Sequence, residues 1–288
     1  MSVGALLLVL AAAGMHATWN LLAKRSNAGP EFVWLVGATA TVVYAAPLVV
    51  LFVIDTPSFA GLVPLFLAGT VFLHLGYYLT LQRGYQTGDL SLVYPLARGT
   101  GPVLAMVGAV LILDERPSLL AVGGAGLIAV AVLALAADSG RSRGERATPV
   151  PAVMFALLTG LFIASYSLWD KYAVSTLEIN PLVLVWVSAI GRGTLLAPRM
   201  RARRNVVREL WSNHRLQIIA VAVLDPLAYL LVLAALRFTP VSYVAPAREI
   251  SILFGIFIGS RLLAEKSAGR RLSFGGAMVF GLMALAVG

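Results

Sequence analysis

The chain has 288 residues, of which 59% are hydrophobic and only 12% are charged. An average soluble domain has about 25% charged residues, so this composition predicts an integral membrane protein. Ten helical spans of about 20 residues each would leave no room for a soluble catalytic domain. The net charge of +9 is explained by basic loops beside anionic lipid headgroups, and we predict no nucleic-acid partner.

Ten apolar segments follow one another along the chain, each long enough to cross the hydrocarbon core. They cover residues 3–23, 31–54, 60–82, 90–113, 118–137, 151–173, 180–198, 215–236, 241–263 and 270–287. None has the alternating pattern of a barrel strand, so the predicted fold class is all-α with ten transmembrane helices. The first segment has no basic residues before it, which favours a retained span over a cleaved signal peptide.

The connecting segments contain the residues that favour turns. These residues occur at 27–30, 55–57, 114–117, 180–181 and 239–240. Two basic segments, 139–148 and 199–215, are predicted to be loops that touch lipid headgroups.

The two halves of the chain resemble each other at an offset of 150 residues. Trp19-Asn20 matches Trp169-Asp170, Ala97-Arg98 matches Ala247-Arg248, and residues 113–116 match 263–266. Three matches at one offset predict an internal duplication. With five spans each, the two copies would enter the membrane in opposite senses, as in many secondary transporters. The predicted organisation is a first repeat at 1–138, a basic linker at 139–150 and a second repeat at 151–288.

Several stretches resemble the EamA-type permeases of the drug/metabolite transporter superfamily. They are Gly88–Arg98, Gly101-Pro102, Leu113–Arg116, and a weaker echo from Val241 to Lys266. The resemblance implies a secondary carrier of small metabolites or toxic compounds, often an exporter, and often proton-coupled or an exchanger. It also implies that the acidic-basic turn after the fourth span of each repeat is structural.

Ionisable residues inside membrane spans usually face a bundle interior or a water-filled cavity. Arg98 and Arg248 are related by the repeat and lie well inside their spans. Two guanidinium groups there would suit a carboxylate or phosphate ligand. The alternative is structural, with Arg248 paired to Glu249 or Asp225 and Arg98 paired to a residue that the sequence does not identify. Each arginine shares a helical face with small residues, which favour close helix packing.

Further candidates come from the aromatic and polar residues near these charges. The predicted substrate-binding set is Arg98, Arg248, Tyr94, Trp19, Asn20, His74, Tyr78 and Tyr229. The predicted proton-coupling set is Glu249, Asp225 and His16. The tryptophans have a second interpretation as anchors at the membrane interface, and the histidines as ordinary hydrogen-bonding residues. Asp170-Lys171 is interpreted as a local charge pair or a helix-end feature rather than a site.

The motifs of other functional classes are missing from the sequence. No His-Glu-x-x-His, Gly-x-Ser-x-Gly or Gly-x4-Gly-Lys-Ser/Thr motif is present, and there is no cysteine. The acidic and histidine residues lack the spacing of a zinc site. We therefore predict no catalytic residues, no metal and no cofactor. An intramembrane enzyme and a channel remain as alternatives to a carrier.

Basic residues predict the orientation in the membrane. Of the 19 that remain when Arg98, Arg192 and Arg248 are set aside as intramembrane, 16 are assigned to the odd-numbered loops. The positive-inside rule would place those loops in the cytoplasm and both termini outside, whereas the family resemblance implies cytoplasmic termini. The expected location is the cell membrane, and the expected partners are a small-molecule substrate, protons and the lipid bilayer. A homodimer is compatible with this organisation.

Overall fold

The computed structural model describes residues 1–25, 29–87, 90–141, 150–252, 254 and 268–288. This part of the chain is helical apart from short connections. The helices are α1 (Val3–Arg25), α2 (Pro30–Val43), α3 (Ala45–Ile54), α4 (Val63–Thr87), α5 (Leu90–Ile112), α6 (Leu119–Arg141), α7 (Val150–Ser175), α8 (Pro181–Ala202), α9 (Arg204–Phe238), α10 (Val241–Ala247) and α11 (Ala268–Val287). A single 3₁₀ turn, Arg248–Ile250, follows α10.

Six helical stretches in the described residues are long and apolar enough to cross a membrane. They are Val3–Ala23, Pro30–Ile54, Val63–Gly84, Val150–Ser175, Pro181–Ala202 and Arg204–Phe238. Shorter apolar stretches lie in α5, α6 and α11. Large apolar side chains project outward from several helices, for example Val53 (82% exposed), Leu119 (92%) and Val287 (82%). Because water penalises such exposure, these side chains suit contact with lipid tails.

Three predicted segments differ from the structure. The predicted span 241–263 is interrupted, because α10 ends at Ala247 and the 3₁₀ turn Arg248–Ile250 follows it. The second predicted span is divided into α2 and α3 at Tyr44, whose φ of −88° and ψ of 0° interrupt the helix, and whose hydroxyl donates to the Val223 carbonyl at 2.7 Å. The basic segment 199–215 is helical rather than a loop. It contains the end of α8 and the start of α9, with non-helical backbone at His214. The first turns of α9 are largely exposed.

The helices pack in pairs. Helix α1 packs along α9, α4 and α5 both pack along α7, and α6 packs along α11. Helix α2 lies against α8 and α9. This arrangement surrounds a cavity lined by residues of α1, α4, α5, α7, α8, α9 and the 3₁₀ turn.

Glycines permit the closest of these contacts. A Cβ atom on Gly124 would lie 2.6 Å from the Gly281 carbonyl oxygen, and one on Gly281 would lie 2.7 Å from the Gly124 oxygen. The backbones of α6 and α11 therefore touch at this crossing. Gly101 and Gly108 lie against Ile163 and Leu168 of α7, so the predicted small-residue face of α5 is a helix-packing surface.

The turn after α5 fixes the start of α10. Both carboxylate oxygens of Glu115 accept hydrogen bonds from backbone N–H groups, one from Val241 at 2.8 Å and one from Ser242 at 2.9 Å. A carboxylate at a helix N-terminus satisfies free N–H groups and complements the helix dipole. Glu115 therefore has a structural role, as the resemblance implied for this turn, and it holds the helix that leads to Arg248.

Candidate functional site

A central cavity brings together residues that are far apart in the sequence. Its polar and aromatic lining consists of His16, Trp19, His74, Tyr77, Tyr78, Arg98, Tyr166, Ser188, Arg192, Asp225, Tyr229 and Arg248. The centre of a water-sized sphere can occupy about 60 Å³ of the cavity, and the space free of protein atoms, which includes a part open to the outside, measures about 700 Å³. Eight of the eleven residues predicted for substrate binding or proton coupling lie on this wall.

Arg98 lies at one side of the cavity and is only 4% exposed. Its Nη1 donates to Glu249 Oε1 at 3.2 Å, and its Nη2 contacts His16 Nε2. The structure thus identifies the partner of Arg98 that the sequence left open. Glu249 pairs with Arg98 rather than with Arg248, and in the described part of the chain its Oε2 is buried without a hydrogen-bond partner.

His16 lies between two groups that can only donate hydrogen bonds. Its Nδ1 accepts from Trp19 Nε1 at 3.1 Å, and its Nε2 faces the Arg98 guanidinium. A neutral imidazole accepts at one nitrogen only, so His16 cannot accept from both neighbours. An acceptor oxygen placed beside Arg98 would relieve this conflict.

Arg248 approaches the cavity from the 3₁₀ turn. Its guanidinium carbon lies 5.6 Å from the centroid of the Tyr229 ring, within the range of a cation–π contact. Among the described residues Arg248 forms no salt bridge with a carboxylate. Its charge is therefore available to a ligand in the cavity.

A second polar cluster is centred on Asp170, which is fully buried. Its carboxylate accepts from Thr70 Oγ1 at 2.6 Å and from the Tyr229 hydroxyl at 2.5 Å, and it contacts His74 Nε2 at 2.9 Å. The interpretation of Asp170 and Lys171 as a local charge pair is wrong. Lys171 Nζ donates instead to the carbonyls of Leu236 and Thr239. Asp170 faces the bundle interior because its three donors lie on α4 and α9.

A third polar cluster joins α4, α8 and α9. The Tyr78 hydroxyl donates to Asp225 Oδ2 at 3.0 Å, and the Arg192 guanidinium carbon lies 4.6 Å from the centroid of the Tyr78 ring. Arg192 is 5% exposed, and its Nε has no hydrogen-bond partner in the described structure. This part of the cavity wall therefore contains a buried cation with an unused donor.

Three predicted site residues do not lie on the described cavity wall. Asn20 donates to the His16 carbonyl of its own helix at 2.7 Å, so its amide serves the helix and not the cavity. Glu249 lies behind Arg98 and reaches the site only through that side chain. The side chain of Tyr94 is outside the described residues, as are positions 263–266 of the second acidic-basic turn.

The profile of the EamA-like transporter family matches residues 150–287. The chain belongs to the EamA group of the drug/metabolite transporter superfamily. The match coincides with the second predicted repeat. Membership makes this EamA protein a multi-pass membrane transporter for small molecules, and the superfamily consists of transporters rather than enzymes.

Solved structures share the fold of this EamA protein. One crystal structure, described only as that of a protein, superposes with a TM-score of 0.81 at 14% sequence identity, over 100% of this chain and 98% of the other. Such low identity shows a common fold and no more. No curated protein matches the chain.

Sequence reasoning missed several residues of the EamA site. Asp170 could have been found from its repeat partner Asn20 and from Thr70 and His74, which lie one turn apart on α4. Arg192 is an ionisable residue inside the predicted span 180–198, but it was not included in the predicted binding or proton-coupling sets. Ser188, one turn before it, lacks any sequence signal, because a serine inside an apolar helix usually bonds to its own backbone.

Proposed function

We propose that this EamA protein is a secondary transporter, an exporter or exchanger that moves small organic anions or zwitterions across the cell membrane by alternating access. One observation carries the proposal. Arg98 and Arg248, 150 positions apart, line the same cavity inside the helix bundle. Charges are costly within a membrane protein and are retained where they bind a substrate or an ion.

The proposal includes ten spans arranged as two inverted five-helix repeats. The packing supports it, because α1 lies along α9 while α7 lies along α4. Helices α2 and α3 together form the second span, so in each case the first span of one repeat contacts the third span of the other. A two-fold relation between the repeats requires this pattern. The α-amino group of Met1 donates to the Ala286 carbonyl at 3.0 Å. Both termini therefore lie on the same side, as an even number of spans requires.

The two arginines supply the chemistry of anion recognition. A guanidinium offers planar, paired donors that match the oxygens of a carboxylate or phosphate. His16 can accept a hydrogen bond from only one of its two neighbours, Trp19 and Arg98. A ligand oxygen beside Arg98 would provide the missing acceptor. Trp19, Tyr78 and Tyr229 would enclose the rest of the substrate.

Glu249 and Asp225 are the groups proposed for proton coupling. Glu249 occupies one donor of Arg98, so a substrate carboxylate competes with it for the same guanidinium. Proton binding to Glu249 would release Arg98 to the substrate. Asp225, held by the Tyr78 hydroxyl, is placed to exchange a proton in the same way beside Arg192.

The direct test is uptake of labelled benzoate into proteoliposomes. We expect saturable uptake that unlabelled benzoate inside the vesicles accelerates, which distinguishes a carrier from a channel. The Arg248→Gln variant should reduce the rate at least about tenfold through loss of a charge-assisted bond. The exposed Arg237→Gln provides the matched control. Uptake that rises linearly with concentration, or that is unchanged in Arg248→Gln, would contradict the proposal.

A second experiment addresses proton coupling. Glu249→Gln and Asp225→Asn each remove one titratable group while keeping the side-chain shape. If either residue couples transport to protons, its variant should lose uptake driven by a proton gradient and should retain counterflow. Equal loss of both activities would refute that assignment.

A further inference from the structure

The helix α8 face that borders the cavity carries two buried polar groups without partners. Ser188 Oγ and Arg192 Nε lie one turn apart, both residues are 5% exposed, and both line the cavity. Neither atom has a hydrogen-bond partner in the described part of the chain. Buried donors left unsatisfied are costly, so native proteins rarely retain them without a ligand or water to bind. Ser188 and Arg192 therefore form a buried hydrogen-bond donor site that faces the cavity.

The nearby carboxylate of Asp225 does not occupy the Arg192 Nε. Asp225 accepts from Tyr78, and it forms no salt bridge with Arg192 within 4.0 Å among the described residues. The carboxylate therefore balances the charge of Arg192 from a distance, and the Arg192 Nε is left without an acceptor. A ligand oxygen in the cavity would supply that acceptor.

The α8 pair lies away from the arginine of the 3₁₀ turn. Four tyrosine rings form a continuous row along the cavity wall, in the order Tyr78, Tyr77, Tyr166 and Tyr229. Successive centroids are 4.9, 5.7 and 6.0 Å apart, all in edge-to-face contact. Arg192 lies over the ring at one end, and Arg248 lies over the ring at the other. The cavity thus has a cationic group at each end of an aromatic wall.

We propose that Ser188 and Arg192 form a second anion subsite, and that the preferred substrate is an organic dianion whose two acidic groups are separated by a flat apolar spacer. One acidic group binds Ser188 and Arg192, the other binds Arg98 and Arg248, and the spacer lies on the tyrosine row. This inference rests on the proposed function, which needs only the Arg98 and Arg248 end.

Binding of two matched probes tests the proposal. Terephthalate carries a carboxylate at both ends of a ring and benzoate at one end only. The dissociation constants of both are measured with the purified full chain by calorimetry. We expect terephthalate to bind at least about tenfold more tightly than benzoate, because a second charge-assisted contact contributes roughly that factor or more.

The variants assign that difference to α8. Arg192→Gln should weaken terephthalate about 10- to 100-fold, to the level of benzoate, and leave benzoate nearly unchanged. Ser188→Ala should weaken terephthalate by a smaller factor. Matched controls are the exposed Arg199→Gln and Ser167→Ala, whose buried hydroxyl already donates to the Ile163 carbonyl. If Arg192→Gln fails to fold, terephthalate binding by Ser188→Ala and by Arg192→Lys tests the α8 subsite in its place.

The outcomes separate the two proposals. Equal binding of both probes, or a terephthalate preference that survives Arg192→Gln and Ser188→Ala, overturns the α8 subsite and leaves the proposed function standing. Failure of both probes to bind overturns both. A terephthalate preference that survives Arg248→Gln but is lost in Arg192→Gln supports the subsite and contradicts the paired-arginine site.

Discussion

Arg98 has both a structural and a functional role in this site. If Arg98 served only to bind substrate, Arg98→Ala would abolish transport and leave folding largely intact. The structure changes that expectation, because Arg98 is the salt-bridge partner of the buried Glu249. Removing one member of a buried pair leaves an uncompensated charge, which typically costs about 3–5 kcal/mol.

A rescue experiment separates the two roles. Arg98→Gln should lower the free energy of unfolding by about 3–5 kcal/mol and abolish uptake. Adding Glu249→Gln removes the unpaired charge, so the double variant should recover most of that stability and still fail to transport. Denaturant unfolding in detergent measures the first effect and proteoliposome uptake the second. Recovery of transport in the double variant would show that Arg98 acts only as the partner of Glu249.

Tyr229 connects two of the polar clusters. Its hydroxyl donates to Asp170, while its ring contacts Arg248. Tyr229→Phe removes only the hydroxyl, and Asp170 keeps Thr70 and His74 as partners. We expect a loss of about 1–2 kcal/mol in stability with little change in anion binding.

The larger substitution tests the ring. Tyr229→Leu should lose the hydroxyl and the cation–π contact together, so anion affinity should fall as well. Thermal unfolding and calorimetry on the two variants measure these effects. Anion affinity that falls equally in both variants would mean that the hydroxyl, and not the ring, positions Arg248.

At the residue scale, sequence reasoning found the charges but not their partners. Arg98, Arg248, Asp225 and His16 were recognised because ionisable residues are conspicuous inside apolar spans. The pairing of Arg98 with Glu249 depends on how α5 meets the 3₁₀ turn, which a single sequence does not specify. Asn20 was assigned to the substrate-binding set from its position in the sequence. Only the structure shows that its amide donates a hydrogen bond within α1.

At the scale of elements, the turn after α5 controls the approach to the site. The Glu115 carboxylate accepts hydrogen bonds from the first two N–H groups of α10, and Arg248 follows directly after that helix. Glu115→Ala should destabilise the protein by about 1–2 kcal/mol and should weaken anion binding, since the 3₁₀ turn loses its anchor.

The neighbouring Arg116 provides the control for this prediction. It is exposed, so Arg116→Gln should change neither property. Thermal unfolding with and without benzoate measures both variants. A Glu115→Ala protein as stable as the wild type would show that the carboxylate bonds to α10 contribute no net stability.

Helix boundaries followed the sequence closely where turn chemistry was strong. Asn180 caps α8, with its side chain accepting from the Leu182 N–H at 2.9 Å, and α3 ends at Ile54 with Asp55 as its C-cap. Two features escaped prediction for physical reasons. The break at Tyr44 is held by a hydrogen bond to a distant helix, and the helical start of α9 is a polar, exposed segment without the apolar run by which spans are recognised.

On the scale of the whole molecule, the positions of the termini test the span count. The contact between Met1 and Ala286 places both ends on one side, and the charge distribution predicts the outer side. Alkaline phosphatase fused to either end should therefore be active, and a fluorescent protein that folds only in the cytoplasm should be dark at both. Reporters on opposite sides would contradict an even number of spans, and both ends inside would contradict the charge prediction.

The all-helical membrane architecture was predictable because composition and segment length constrain it strongly. Residues at equivalent positions of the two proposed repeats have different surroundings in the structure. Trp19 lines the cavity and donates to His16, whereas its counterpart Trp169 stacks on Phe66 with centroids 4.2 Å apart. An inverted duplication places equivalent residues in different surroundings once each half has changed.

The most direct measurement for the central claim is the melting temperature of the purified protein against a panel of organic anions, neutral solutes and cations, compared with Arg248→Gln. We predict that organic anions raise the melting temperature of the wild type, because a ligand bound only to the native state stabilises it, and that this rise disappears in Arg248→Gln. Stabilisation by cations or neutral solutes alone, or an anion effect that persists in the variant, would contradict a paired-arginine anion site.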